Sequence, residues 1–206
     1  MKIYSEYKSY QEYVDIQTET NKEKIEVVWV MQEEVIQLSN YIVDKYSDEI
    51  HYVMCHGARN GTEVKYFTES LPDNWIVEGN DISDTANAYG LHQWDMQYCY
   101  EGWKQKFTIQ YTNSFDHVYD PRKTLKAFMK QCTDDGSVFI QWTENLNNEP
   151  IASDPLSISL LELSEMCYDY ASVVNLMNPG MNRTVRYKDT NEILRQLKIY
   201  YLELKR

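Results

Sequence analysis

The chain has 206 residues, enough for one domain with a sizeable core and too few for two ordinary domains joined by a linker. Its formal net charge of -12 gives a surface that repels phosphate backbones and anionic lipid, which argues against nucleic acid and membranes as partners. No apolar run approaches membrane-spanning length, the N-terminal MKIYSEYKSYQEY has no signal-peptide core, and Cys55, Cys99, Cys132 and Cys167 form no CxxC pair, so a cytoplasmic protein with reduced thiols is expected.

Residues 1–28 are dense in Tyr, Glu, Lys and Gln with little periodicity, and are expected to form an N-terminal arm or lid of short helices across the core or its mouth. Eighteen tyrosines against five phenylalanines suit a wet aromatic surface, but compositional drift is the simpler reading. From Trp29 to Tyr46 the positions Met31, Val35, Leu38, Ile42 and Tyr46 recur at helical spacing, which predicts an amphipathic helix at the start of a single domain over 29–206. Strands and helices then alternate: strand 50–55, helix 61–70, strand 75–79, short helix 83–89, and strands near 91–94 and 106–111. Asp120-Pro121 reads as an N-cap and first-turn pair for a helix bearing Leu125, Phe128, Met129 and Cys132, which ends before Asp135-Gly136. Strand SVFIQW follows, Asp154-Pro155 repeats the cap signature before a helix with Leu160, Leu163 and Cys167, and SVVNLM reads as a sixth strand. The tail NEILRQLKIYYLELKR is read as a short helix and then a last edge strand. This alternation predicts an α/β fold with a mainly parallel sheet and helices on both faces, where ligands bind beyond the carboxyl ends of the strands.

Those ends carry the chemistry. His51 to Cys55 runs into the loop Gly57-Ala58-Arg59-Asn60-Gly61 and then a helix, a turn suited to a nucleoside-bearing cofactor. A dinucleotide loop wants glycine where Arg59 stands, and a Walker loop wants lysine where Gly61-Thr62-Glu63 offers none. A cofactor without pyrophosphate remains, with an amino-acid carboxylate for Arg59 and the helix N-terminus, a ribose diol for Asp81 and an adenine edge for Asp95. S-adenosylmethionine has those parts. Standing alone, Asp81 and Asp95 read more readily as turn caps, and together in this order they favour the site; Arg59 reads equally as a surface partner of Glu63. His51, His56 and His92 are given no role.

Over roughly residues 30–206 the chain resembles the class I S-adenosylmethionine-dependent methyltransferases, in a branch whose first motif reads GxRxGxE (Gly57, Arg59, Gly61, Glu63) and whose fourth reads NSxDH (Asn113, Ser114, Asp116, His117). It departs from the common family loop in having Cys55 in place of an acid and Arg59 in place of glycine. The resemblance implies a Rossmann-like sandwich with a seven-stranded sheet. It places Gly57, Ala58 and Gly61 at the methionine end, Asp81 on the ribose, Ile82 and Met96 around adenine, Asp95 on its amino group, and Asn113 facing the cofactor's ammonium.

Methyl transfer from a sulfonium to a hydroxyl needs an aligned acceptor and a group to take its proton. Asp116 and His117 lie where acceptor and methyl should meet, with His117 as base and Asp116 orienting it; the rival reading makes them caps before the Pro121 helix. A divalent cation on Asp116, His117 and Asp154 is an alternative, although no short ligand spacing compels it. Trp142, Glu144, Asn145 and Asn148 in QWTENLNNEPIASDP offer a stacking face and hydrogen-bonding groups, which favours a sugar or glycan hydroxyl among acceptors, although an ordinary surface loop is an equal reading of the same residues. Methylation of another small molecule or a protein side chain, and an inactive cofactor-binding module, stay open.

Overall fold

The computed structural model describes residues 1–46, 49–143, 149–180, 182–186 and 193–206. In chain order the elements are β1 (Lys2–Ile3), α1 (Tyr10–Glu23), α2 (Gln32–Val43), β2 (His51–His56), α3 (Thr62–Ser70), β3 (Trp75–Asp81) and β4 (His92–Gln93). They continue with β5 (Phe107–Thr112), α4 (Pro121–Gln131), β6 (Cys132–Thr143), β7 (Leu156–Ser157), α5 (Leu160–Cys167), β8 (Val173–Met177), β9 (Asn182–Arg186) and β10 (Ile193–Lys205). The main sheet has the order β4-β3-β2-β5-β6-β10-β8, seven strands, with β9 paired to β10 beside this path. Pairs from β4 through β6 are parallel, and only β10 runs against its neighbours β6 and β8. No helix among the described residues is long and apolar enough to cross a membrane.

Helices cover both faces because the strands alternate apolar side chains between them. Phe139 packs with Leu38, Ile42, Phe67 and Ile109 on the α2 and α3 side. Its neighbours Val138 and Ile140 pack with Leu125, Phe128 and Leu163 on the α4 and α5 side. Each of these side chains is fully or almost fully buried, so each contributes on the order of 1.5–3 kcal/mol relative to exposure.

Four expectations are corrected. Cys132 does not end the helical stripe; it begins β6 and is buried there, and Asp135-Gly136 is an irregularity inside that strand, with register shifting between Phe107↔Cys132 and Ile109↔Ser137. A side chain at Gly136 would sit 2.6 Å from the Thr108 carbonyl, so the glycine marks close strand approach and not a turn. Asp154-Pro155 caps no helix. Ser159 caps α5 through a capping box with Glu162, and the backbone after Pro155 is drawn into β7 against β1. The expected tail helix is strand from Ile193 onward; residues 191 and 192 lie outside the described residues. That strand is not an edge: Ile199, Tyr201, Leu202 and Leu204 are buried on its two faces, which requires neighbours on both sides.

His56 links three strands beneath the glycine loop. The Gln110 Nε2 donates to the Phe128 carbonyl at 2.8 Å, so its Oε1 faces His56 Nε2 at 3.0 Å and accepts from it. The Asn80 amide then meets Nδ1, and the ring stacks on Phe128 with centroids 4.4 Å apart. Desolvation holds this imidazole neutral, lowering its pKa to about 4 against the partial opposition of Gln110 and Asn80. The unfolded chain protonates this residue near pH 6.5 and the folded chain does not, so its stabilising contribution is complete above that pH and lost as pH falls towards 4. The loss is about 3 kcal/mol. Urea unfolding at pH 7 and pH 4 is expected to show that much extra loss in the parent relative to His56→Gln; parallel profiles would refute the assignment.

Candidate functional site

The strands β2, β3, β4 and β5 end in register, with His56 opposite Asn80 and Thr112, and Asp81 opposite Gln93. The loops that follow them meet at one edge of the sheet. Gly57 and Gly61 have φ of 68° and 75°, and Arg59 between them is itself left-handed at 38°. Ala58 is buried in the core and anchors the loop by donating its N–H to the Asn80 carbonyl. Gly61 is the N-cap of α3.

Asp81 is 4% exposed and collects three donors: the Arg59 N–H at 2.9 Å, the Ser83 N–H at 2.8 Å and the Asn21 amide of α1 at 2.7 Å. Burial raises its pKa, and these hydrogen bonds oppose the rise. Asp95 accepts from the Gln97 N–H at 2.9 Å and from the Tyr10 hydroxyl. Ile82, Trp94 and Met96 complete a small cleft between Asp81 and Asp95. The Arg59 guanidinium forms no ion pair with Glu63 among the described residues; it donates to the Lys24 and Val27 carbonyls and to Asn21.

On the next loop Phe115, 3% exposed, pins a 3-10 turn whose His117 lines the small cleft and whose Asp116 and His117 both line a larger cavity beside it. A tight turn over 151–154, closed by reciprocal bonds between Ile151 and Asp154, brings the Ser153 carbonyl to 2.8 Å from His117 Nδ1. A carbonyl only accepts, so Nδ1 carries the proton and a neutral ring turns the Nε2 lone pair outward. Facing that nitrogen are Asp154 Oδ1 at 3.4 Å and Asp116 Oδ1 at 3.9 Å. Although two fifths of the Asp116 side chain is open, desolvation raises its pKa, with His117 pulling it down and Asp154 pushing it up. One donor atom from each of Asp116, His117 and Asp154 can be chosen with all three within 4.8 Å, a set chemically suited to a divalent cation.

Beyond this trio lies a cavity of about 410 Å³, walled by Phe115, Ile140, Trp142, Leu156 and Ile158 with Val27 to Trp29 among its lining residues. It shares Gly57, Arg59, Ser114 and His117 with the small cleft. Asn113 lines the larger cavity, donating to Glu63 at 3.0 Å. The Trp142 indole donates to the Ile158 carbonyl at 3.0 Å; Glu144, Asn145 and Asn148 lie outside the described residues.

Sequence reasoning missed the contribution of α1. Tyr10, Tyr13, Gln17 and Asn21 fall on one helical face and reach Asp95, the His117 carbonyl, the Ala152 and Ser153 carbonyls, and Asp81 in turn. Tyr4, Tyr7, Tyr10, Tyr13, Tyr98 and Tyr119 form a continuous cluster of rings at 4.8–6.0 Å, so this part of the tyrosine excess has a packing role and is not drift. The legible signal was a 3-4-4 spacing of polar and aromatic residues.

No protein-family profile and no curated protein matches the chain. Solved structures do. The 1,6-didemethyltoxoflavin-N1-methyltransferase of Burkholderia thailandensis, with 1,6-didemethyltoxoflavin and S-adenosylhomocysteine bound, aligns with a TM-score of 0.66 at 12% identity over 100% of this chain and 94% of that one. A phosphoethanolamine N-methyltransferase of Haemonchus contortus, bound to phosphomonomethylethanolamine and S-adenosylhomocysteine, gives 0.64 at 10% identity over 96% and 60%. A TehB-like S-adenosylmethionine-dependent methyltransferase of Corynebacterium glutamicum gives 0.56 at 9% over 96% and 100%. The chain therefore has the Rossmann-like fold of the S-adenosylmethionine-dependent methyltransferases.

A side chain at Gly57 would meet Ser114 Cβ at 2.9 Å and Met96 Cε at 3.1 Å, whereas Gly90, at nearly the same φ, has nothing within 4 Å. Gly90→Ala is expected to cost about 1 kcal/mol from backbone strain alone, and Gly57→Ala about 1–3 kcal/mol beyond that from overpacking. Equal losses in urea unfolding would show that the loop yields freely.

Proposed function

We propose that the chain is an S-adenosylmethionine-dependent methyltransferase acting on a hydroxyl of a small acceptor, with sugar or glycan hydroxyls as the first class to test. The reading rests on one observation: the acid-lined cleft and the larger cavity share Gly57, Arg59, Ser114 and His117 in their walls. Adenosine lies between Asp81 and Asp95 with Ile82 and Met96 about the ring, and the methionine portion follows Gly57 towards Asn113. The sulfonium methyl then points past Ser114 to His117, and the acceptor enters from the larger cavity. The two N-methyltransferases solved with both S-adenosylhomocysteine and a small molecule bound support a chain that takes cofactor and a small acceptor. Trp142 in the cavity wall is the described feature that favours a sugar ring.

His117 Nε2 takes the hydroxyl proton as the oxygen–methyl bond forms and the sulfur–methyl bond breaks. Ser153 holds the ring through Nδ1, and the carboxylates of Asp154 and Asp116 stabilise the imidazolium that results. A divalent cation on the same three side chains is the alternative means of acidifying the hydroxyl. Residues 1–28 act as a lid, because Tyr10 and Asn21 occupy the acceptor atoms of Asp95 and Asp81 that the nucleoside needs, and they must yield for cofactor to enter.

Calorimetric titration with S-adenosylmethionine and S-adenosylhomocysteine, followed by methyl-transfer assays on sugars, phenols, amines and peptides with and without EDTA, tests the whole reading. Binding is expected in the parent, at least tenfold weaker in Asp81→Asn. His117→Ala is expected to keep binding and lose roughly 100- to 10,000-fold in turnover. Absence of binding by the parent would overturn the proposal; binding with no turnover on any acceptor would make the chain a cofactor-binding module.

A further inference from the structure

His117 has a second partner at Nδ1 besides the Ser153 carbonyl. Gln17, in the middle of α1, is 4% exposed, and both ends of its amide are engaged. Its Nε2 stands 3.3 Å from the Ala152 carbonyl and 3.1 Å from the Ser153 carbonyl. Both carbonyls only accept, so the amide NH2 must face them, and Oε1 is thereby turned to His117 Nδ1 at 3.3 Å. An amide oxygen also only accepts. The proton on Nδ1 is therefore required twice, by Ser153 at 2.8 Å and by Gln17, and neither partner can exchange its role. One helical turn earlier on the same face the Tyr13 hydroxyl donates to the His117 carbonyl at 3.0 Å, so α1 holds both the backbone and the ring of this residue. The turn over 151–154 that carries Ser153 is itself tied to the N-terminal segment, through Gln17 and through the Tyr7 hydroxyl on Ala152.

We propose that Gln17 is a positioning residue for His117: it fixes the ring with the proton on Nδ1 and the Nε2 lone pair towards the acceptor, both directly and by holding the Ser153 carbonyl in place. The chemical consequence rests on the methyltransferase reading; the tautomer does not. Either means of activating a hydroxyl at this site, proton abstraction or cation ligation, needs that same Nε2 lone pair, so Gln17 serves both. Gln17 lies between Tyr10 and Asn21, which bond to Asp95 and Asp81. One helix face thus covers the small cleft at its two ends and seats His117 at its centre. Displacing α1 withdraws Gln17, so His117 is poised only with α1 in place.

Ring-nitrogen NMR of the 15N-labelled chain, recorded at a pH high enough to leave the imidazole neutral, reads the tautomer directly, and His117→Ala identifies the signal. The variant is Gln17→Met, which keeps length and bulk and removes every hydrogen bond of the amide. The parent is expected to show a single Nδ1–H tautomer and Gln17→Met a mixture with the Nε2–H form, while affinity for S-adenosylhomocysteine is unchanged. Turnover on an acceptor identified in the methyl-transfer assays is expected to fall roughly 10- to 100-fold in kcat with KM unchanged. If the Met variant does not fold, Gln17→Ala is read in its place. An Nε2–H tautomer in the parent, or an Nδ1–H tautomer that survives the substitution, overturns the assignment. So does a tautomer change accompanied by a lowered melting temperature and lost ligand affinity, the mark of a structural role. If the parent binds no S-adenosylhomocysteine while the tautomer still responds to Gln17→Met, the methyltransferase reading fails and the seating of His117 stands by itself.

Discussion

Asp81 is the joint on which the site depends. Its carboxylate closes three bonds to three separate segments: the loop after β2 through the Arg59 N–H, the turn after β3 through the Ser83 N–H, and α1 through Asn21. Two of those donors are backbone groups that no rotamer change can withdraw. They hold Arg59 at a positive φ that a non-glycine residue adopts at a cost, and so keep the glycine loop open over the strand ends. The third is a side chain of α1. A single carboxylate thus ties the glycine loop to α1, and the buried His56, Asn80 and Gln110 network directly beneath supplies the stiffness that the loop's own glycines lack.

The sheet and the site edge were legible in the sequence because a parallel strand buried on both faces leaves a compact apolar run and its polar terminus marks the carboxyl end. His51–His56, Trp75–Asp81 and Phe107–Thr112 all follow that rule. The errors fall where one local signal has two physical meanings. Cys132 continues the helical spacing of Leu125, Phe128 and Met129 but starts β6; Asp154-Pro155 looks like a helix cap, but the turn before the proline sets Ser153 and Asp154 on His117. The tail spacing of Ile193, Leu197, Tyr200 and Leu204 fits helix and strand alike, and the neighbouring strands decide between them.

α1 escaped notice for a different reason. Its inward face is built from Tyr10, Tyr13, Gln17 and Asn21, which a hydrophobic pattern cannot register. A helix held by hydroxyl and amide bonds and by tyrosine edges gives up less on lifting than one held by buried leucines, because water replaces each polar partner it loses. Polarity in this face is therefore consistent with the lid role proposed for residues 1–28. A fully apolar stripe in the same place would seal the strand ends.

The electrostatics of the cleft point the same way. Glu63, Asp81 and Asp116 all have raised pKa values, each with desolvation as the leading cause, and they surround one path on a protein that already carries a net charge of -12. Partly desolvated acids at such spacing destabilise their own ionised forms unless a cation joins them. Arg59 donates to backbone carbonyls and to Asn21, yet its charge still lowers the pKa of both Glu63 and Asp81, and Lys24 does the same for Asp116. The protein's own cations thus offset the burial of these acids only in part, and a positively charged group entering the path would lower their pKa values further.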